Sequence, residues 1–210
     1  MAPAARLTAP SRRGRTLPRS FYARDPRELA PSLLNKLLVG RTLDGERLAA
    51  RLVEVEAYLG SDDAGSHAFR GMTPRTEVMF GPPGHLYVYF TYGMHWCANV
   101  VAAHDRPGDA AAVLLRAAAP VAGLDVMRAR RVKARRDRDL LAGPARLCQA
   151  FGISGADNGS DLVRGAIRLV DDGVPPPVTP GRSVRIGLAA GRGDEHPWRF
   201  SVPGDPNLSR

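Results

Sequence analysis

The chain has 210 residues, enough for one substantial core, and its 44% apolar and 24% charged residues are those of a globular protein. A net charge of +9, from 30 Lys and Arg against 21 Asp and Glu, points to a polyanionic partner. Two cysteines without CxxC spacing argue against a disulfide scaffold or zinc ribbon, and no apolar run approaches the roughly 18 residues of a membrane span.

Only Lys36 and Lys133 are lysines, so 28 of the 30 basic residues are arginines, the side chain suited to bidentate phosphate contact and stacking. No apolar segment follows the basic N-terminus, so a secretory signal is not supported and a soluble, cytoplasmic protein is expected. Residues 1–18 mix Ala, Pro, Arg and Ser without periodicity and read as a disordered basic arm before a folded domain at 19–210. Asp25 as cap, Pro26 in the first turn and Glu28 near the positive dipole end predict a helix. Pro31 interrupts it or restarts it through Leu33, Leu34, Leu37 and Leu38, with Gly40 as its stop. Strands follow at 41–43 and 47–58 around an Asp44-Gly45 turn.

Residues 60–85 form a connection rich in Gly, Pro, Ser and Asp, and loops of that length are usually functional or disordered. Residues 86–102 read as two strands joined near Tyr92-Gly93-Met94, and 111–118 as another. Pro120 is expected to open a helix with Leu124 and Met127 on one face, running into a basic stretch from Arg128 to Arg138. Gly143-Pro144 opens a short helix to Phe151, and strands return near 166–170, 184–189 and 198–202. The expected fold is α/β (α+β): a single domain with a curved, mainly antiparallel sheet flanked by helices and a protruding β-hairpin.

Within 52–60, Val53, Val55 and Ala57 face one way while Glu54, Glu56 and Tyr58 face the other. That second face reads either as a solvated polar surface or as a pocket wall with carboxylates beside a ring. Tyr87, Tyr89, Phe90 and Tyr92 place four rings in six positions of a chain that is 6% aromatic. Tyr87 and Phe90 suit cross-strand packing. Tyr92, beside Gly93 at a turn, has nothing to pack on unless a partner such as a base stack supplies it. Glu54 reads as structural or solvated, and Cys97 and Cys148 as small packed apolar residues. His85, His95, His104 and His196 lack metal-ligand spacing and read as surface or loop residues, so neither a metal nor another cofactor is expected.

Several ordered blocks carry a resemblance. Val53-Glu54-Val55-Glu56-Ala57-Tyr58-Leu59-Gly60, Ser66-His67, Thr73-Pro74-Arg75 and Pro83-Gly84-His85-Leu86-Tyr87-Val88-Tyr89 resemble the alkyladenine (3-methyladenine) DNA glycosylase family. So do Tyr92-Gly93-Met94, Cys97-Ala98-Asn99, Val113-Leu114-Leu115-Arg116-Ala117 and Gly143-Pro144-Ala145-Arg146-Leu147-Cys148-Gln149-Ala150. The resemblance covers about residues 20–203 and implies a monofunctional base-excision-repair enzyme acting on double-stranded DNA, as a monomer associated with the nucleoid. It implies that Tyr92 is the wedge replacing an extruded base, and that Tyr58, His67 and Tyr89 grip that base. Glu56 would be the general base for a water, held with the help of Arg116 and the backbone carbonyl of Ile186. Asn99 would exclude normal guanine, the His67 amide would read the base edge, and Arg75, Arg130, Arg131, Lys133 and Arg146 would contact the DNA backbone. Thr76 stands where the family often has Asn, and His95 where it often has a ring. Neither lysine lies in a matched block, so hydrolysis without strand cleavage is expected. The other reading, a non-catalytic binder of damaged DNA, would require neither Glu56 nor Arg116.

Overall fold

The computed structural model describes residues 14–209. Its strands are β1 (Arg15–Thr16), β2 (Leu37–Arg41), β3 (Arg47–Tyr58), β4 (Leu86–Thr91), β5 (His95–Ala102), β6 (Ala111–Ala122), β7 (Arg168–Asp171), β8 (Gly181–Ser183) and β9 (Arg199–Ser201). They form one sheet in the order β1-β7-β2-β3-β6-β5-β4, with β9 joining β3 and β8 joining β9. Every ladder among them is antiparallel. The α-helices are α1 (Arg19–Tyr22), α2 (Pro26–Leu33), α3 (Leu124–Arg130) and α4 (Pro144–Phe151). The α/β, mainly antiparallel single-domain expectation holds.

Alternation assigns the two faces of this sheet. Leu86 and Val88 of β4, Ala98 and Val100 of β5, and Val113 and Leu115 of β6 point into the main core. That core also takes Leu29 and Leu33 of α2 and Leu147 and Phe151 of α4. In β3, Leu48, Ala50 and Leu52 join the core, but then Val55 and Ala57 do. The phase changes at register shifts on either side of Glu54, where β3 bulges against β6. That bulge leaves Glu54, Glu56 and Tyr58 on the face opposite the main core. Tyr87, Cys97, Asn99, Ala112, Leu114 and Arg116 share that face by the same alternation.

Several expectations are corrected. Leu37 and Leu38 belong to a strand, not a helix. Their i, i+4 spacing to Leu33 and Leu34 mimics a helical stripe, but β2 pairs on both edges, with β3 and β7. Pro31 sits inside α2, which ends two residues later at Leu33, followed by the capping residue Leu34 and by Asn35 at φ 64°. The strand expected at 41–43 ends at Arg41, and Leu43 is fully exposed at the turn. Pro120 lies within β6 rather than opening a helix. It sits opposite Ala50 at another register shift, where a missing N–H is tolerated. Residues 184–189 form no strand, and their polar groups go to the site described below. Residues 1–13 of the expected arm lie outside the described residues, whereas Arg15–Thr16 pair with β7 and Leu17 is buried.

Gly60 follows β3 at φ 44°, and a Cβ there would fall on the Ala110 carbonyl oxygen. Combining left-handed strain with a backbone clash, Gly60→Ala is expected to cost about 2–4 kcal/mol. A lowered urea midpoint at unchanged m would register it.

Candidate active site

Glu56 and Glu54 are completely buried, two residues apart on one strand. Burying carboxylates is costly unless each is paired and hydrogen-bonded. Glu54 accepts from Arg116 Nε at 2.9 Å, Arg199 Nε at 2.7 Å, and the Ser209 amide and hydroxyl, each at 2.6 Å. The solvated reading of Glu54 is therefore overturned, because the chain's last described residues cover it. Glu56 Oε2 accepts from the Tyr58 hydroxyl at 2.9 Å and Arg116 Nη1 at 3.2 Å, and its Oε1 from the Ile186 amide at 2.8 Å. Arg116, buried on neighbouring β6, thus bridges both carboxylates.

The protonation states follow from this packing. Burial pushes the Glu54 carboxyl up, but bonds from Arg199 and Ser209 and the Arg116 charge outweigh it and hold it below its usual 4.5. Burial acts against the Arg116 cation, and Glu56 and Glu54 more than restore it. Burial, then the Glu56 charge, keeps the Tyr58 hydroxyl protonated well above 10.

In front of this network lies a cavity of about 320 Å³. Tyr58, His67, Tyr89, Asn99, Arg116 and Ile186 all line it, as does Tyr92 from the hairpin tip. The His67 ring stands edge-on to Tyr89 with centroids 4.4 Å apart. Although His67 as a whole is exposed, withdrawal of its ring from water, helped by the Arg75 charge, lowers its pKa to about 4. Burial raises the Tyr87 and Tyr89 hydroxyls and the Cys97 thiol.

Tyr87 is a site residue that the sequence reading assigned to packing alone. Its hydroxyl lies 3.1 Å from His67 Nδ1, and its carbonyl accepts from Asn99 Nδ2 at 3.2 Å. It therefore orients two cavity walls while itself almost fully buried. The signal was its two-residue spacing from Tyr89, which puts both rings on one face. Met79, Cys97, Leu114 and Pro144 also line the cavity without having been singled out for it.

Tyr92 is 82% exposed at φ 50°, next to Gly93 at φ 64°. Left-handed backbone costs a tyrosine about 1–2 kcal/mol, so the tight turn holds the ring outward against local preference. Exposed Met94 and Phe90 flank it.

The basic residues divide. Arg75 lies over the Tyr89 ring, 5.5 Å from its centroid, at the cavity rather than on a remote surface. Arg130 donates to the Ala150 carbonyl, and Arg131 to the Leu140 carbonyl and Gln149, so both brace α4. Lys133 and Arg146 line, with Arg131 and Arg135, a second cleft of about 460 Å³ bounded by Pro206 and Leu208. His104 lies in the loop between β5 and β6, as expected, but with its side chain buried, 4% exposed and 3.7 Å from both Asp62 and Asp109. Among the described residues no group of three His, Cys, Asp or Glu side chains is arranged to hold a metal ion, and no helix is long and apolar enough to cross a membrane.

Because the folded-state pKa of Glu54 is depressed, its stabilising contribution is present above about pH 4.5 and fades as pH falls through the lower folded value. Glu54→Gln is expected to lose about 3–5 kcal/mol at pH 7, by leaving buried arginines undercompensated. It should also show a shallower loss of stability below pH 4.5. Urea unfolding at both pH values measures each effect.

The family model for methylpurine-DNA glycosylase matches residues 20–206. A Burkholderia cenocepacia protein called "Putative 3-methyladenine DNA glycosylase" is 52% identical over 198 residues, covering 93% of this chain and 92% of that protein. Proteins of the same name from Streptomyces avermitilis and Methanocella arvoryzae are each 45% identical, covering 97% and 92% of this chain and 94% and 96% of their own. With the matched span containing every residue that lines the cavity, and Glu54, Glu56 and Arg116 beside it, the chain belongs to the methylpurine-DNA glycosylase family.

Proposed function

We propose that this DNA glycosylase flips an alkylated or deaminated purine out of duplex DNA and hydrolyses its N-glycosidic bond with a water activated by Glu56. The observation that carries the reading is a buried carboxylate, held by Tyr58, Arg116 and the Ile186 amide, directly behind an aromatic cavity whose rim bears an exposed tyrosine. An atom inside the base stack is unreachable, so the nucleotide must leave it, at a cost that is least for damaged or mispaired bases. Tyr92 fills the vacated space, and the base enters between Tyr58, His67 and Tyr89. Asn99, pinned to the Tyr87 carbonyl, excludes the exocyclic amine of normal guanine.

Glu56 Oε1 accepts one bond among the described residues and retains a lone pair for a water. The water, held also by the Ile186 carbonyl, attacks C1′ and passes a proton to Glu56, and the C1′–N bond breaks with its electron pair going to the purine. The products are a free base and an abasic sugar. A base alkylated on a ring nitrogen already carries positive charge and leaves as a neutral base, whereas a deaminated purine leaves as an anion and takes up one proton, balanced by the proton that water gave to Glu56. Lys36 is tied to Asp171 at 2.9 Å and Lys133 lies in the second cleft, so neither lines the cavity as a lyase nucleophile. Arg75, Lys133, Arg135 and Arg146 meet phosphates, while Arg130 and Arg131 support the surface that carries them.

Glu56→Gln is expected to slow single-turnover base release by about 10²–10⁴-fold. It should still bind lesion duplex and still change 2-aminopurine fluorescence on flipping. Release at the wild-type rate would overturn the assignment of Glu56, whereas no release from the wild-type chain would leave the reading of a non-catalytic damaged-DNA binder. The log of affinity should fall linearly with the log of salt concentration, with a slope reduced by about one for Lys133→Ala. A flat dependence would remove the phosphate contacts.

A further inference from the structure

Arg185 and Asp63 form an ion pair with both side chains at 0% exposure, Nη1 and Nη2 lying 2.5 and 2.7 Å from the two carboxylate oxygens. Neither residue lines the cavity, yet the pair lies where three of its walls begin. Asp63 also accepts from the Leu59 amide at 3.1 Å and the Gly65 amide at 2.9 Å, folding the turn that leads from β3 to His67. Arg185 also donates to the Ala57 carbonyl at 2.9 Å, within β3 between Glu56 and Tyr58. A further bond, to the Gly193 carbonyl at 2.8 Å, ties down the far end of the 184–193 loop.

The faces of the guanidinium are used as well. Arg185 Nε meets no acceptor among the described residues, and the group lies over the Tyr58 ring at 4.6 Å and the Trp198 ring at 5.0 Å. A Cβ at Gly193 would come within 2.6 Å of Nη2 and 2.8 Å of Asp63 Oδ1, so the surrounding chain is shaped to this pair. The next residue after Arg185 is Ile186, whose amide donates to Glu56, and the ring beneath its guanidinium is Tyr58, whose hydroxyl donates to Glu56.

We infer that Asp63 and Arg185 are positioning residues for the glycosylase reaction: by holding Tyr58 and the Ile186 amide together, they set the orientation of the Glu56 carboxylate. The inference rests on the proposed role of Glu56. A buried ion pair is weak evidence for stability, since apolar residues of similar volume often do as well. Its value here is geometric. Two of the three donors to Glu56 come from separate chain segments, and the Asp63–Arg185 pair joins them. Arg116, the third donor, is fixed independently through Glu54 and Ser209.

The test is Arg185→Lys, which keeps the charge but loses the two-pronged bond and the stacking, with Asp63→Asn as the second variant. Each is measured alone and in a Tyr58→Phe background. In folded protein, Arg185→Lys is expected to lower the single-turnover rate constant by about 10–100-fold, with lesion-duplex Kd within about threefold of wild type. In the Tyr58→Phe background the same substitution should cost less than half that factor on a logarithmic scale, because one donor it acts through is gone. Hydrogen exchange at the Ile186 amide should accelerate. A rate constant unchanged for the folded fraction, a purely additive cycle, or two variants that only lower Tm and active fraction would each overturn the inference. The exchange measurement does not depend on base release. Faster exchange together with a fully active Glu56→Gln would reject the role of Glu56 while leaving the structural coupling intact.

Discussion

Placing two carboxylates on the buried face of a central strand is the condition that the rest of the site satisfies. Desolvating one such ion costs several kcal/mol even after relaxation, so Glu54 and Glu56 together require cations and donors from elsewhere in the chain. Those groups come from β6, β9, the 184–193 loop and the residues after β9. Arg116 serves both carboxylates at once, which makes their arrangement rigid relative to each other. The two are chemically alike and differently enclosed. Glu54 is saturated by four donors, whereas Glu56 shares its donors with the wall of a cavity.

The bulge in β3 matters for the same reason. Without the register shifts around Glu54, strict alternation along β3 would put Glu54 and Glu56 on the side of Leu48, Ala50 and Leu52, inside the main core. One local irregularity converts a core strand into one that carries chemistry for half its length. The hairpin of β4 and β5 extends the same face outward, so Tyr87, Tyr89 and Tyr92 follow one another from floor to rim.

Much of this was legible in the residues, in a particular way. The alternation in 54–58 assigned the faces correctly, while the bulge that leaves Val53 out of step with Val55 and Ala57 had no local signal; the tyrosine-rich hairpin was visible with its turn. The family resemblance supplied the cavity residues, and the fold brings them together around one space. What local pattern could not reveal was coverage. Glu54 looked solvent-facing because the groups burying it, Arg199 and Ser209, lie about 150 positions away. Residues 184–189 looked like a strand because Val184 and Ile186 alternate with polar neighbours. Arg185 instead turns inward to Asp63, and Ile186 gives its amide to a side chain. The stripe of Leu33, Leu34, Leu37 and Leu38 imitates a helix because 3.6-residue and sheet periodicities coincide over so short a run. In each case pairing partners distant in sequence decided the outcome.

The titrating groups around the cavity have a consequence of their own. His67 gains its proton only near pH 4, while the hydroxyls of Tyr58, Tyr87 and Tyr89 and the thiol of Cys97 give theirs up only above their ordinary ranges. From mildly acid to mildly alkaline solution these groups are electrically silent. A guest that changes its own charge over that interval meets the same environment in both forms. Preference between the forms then rests on the standing charges of Arg116 and its carboxylate partners and on the electron-rich faces of the rings, which attract a cation without themselves having to ionise.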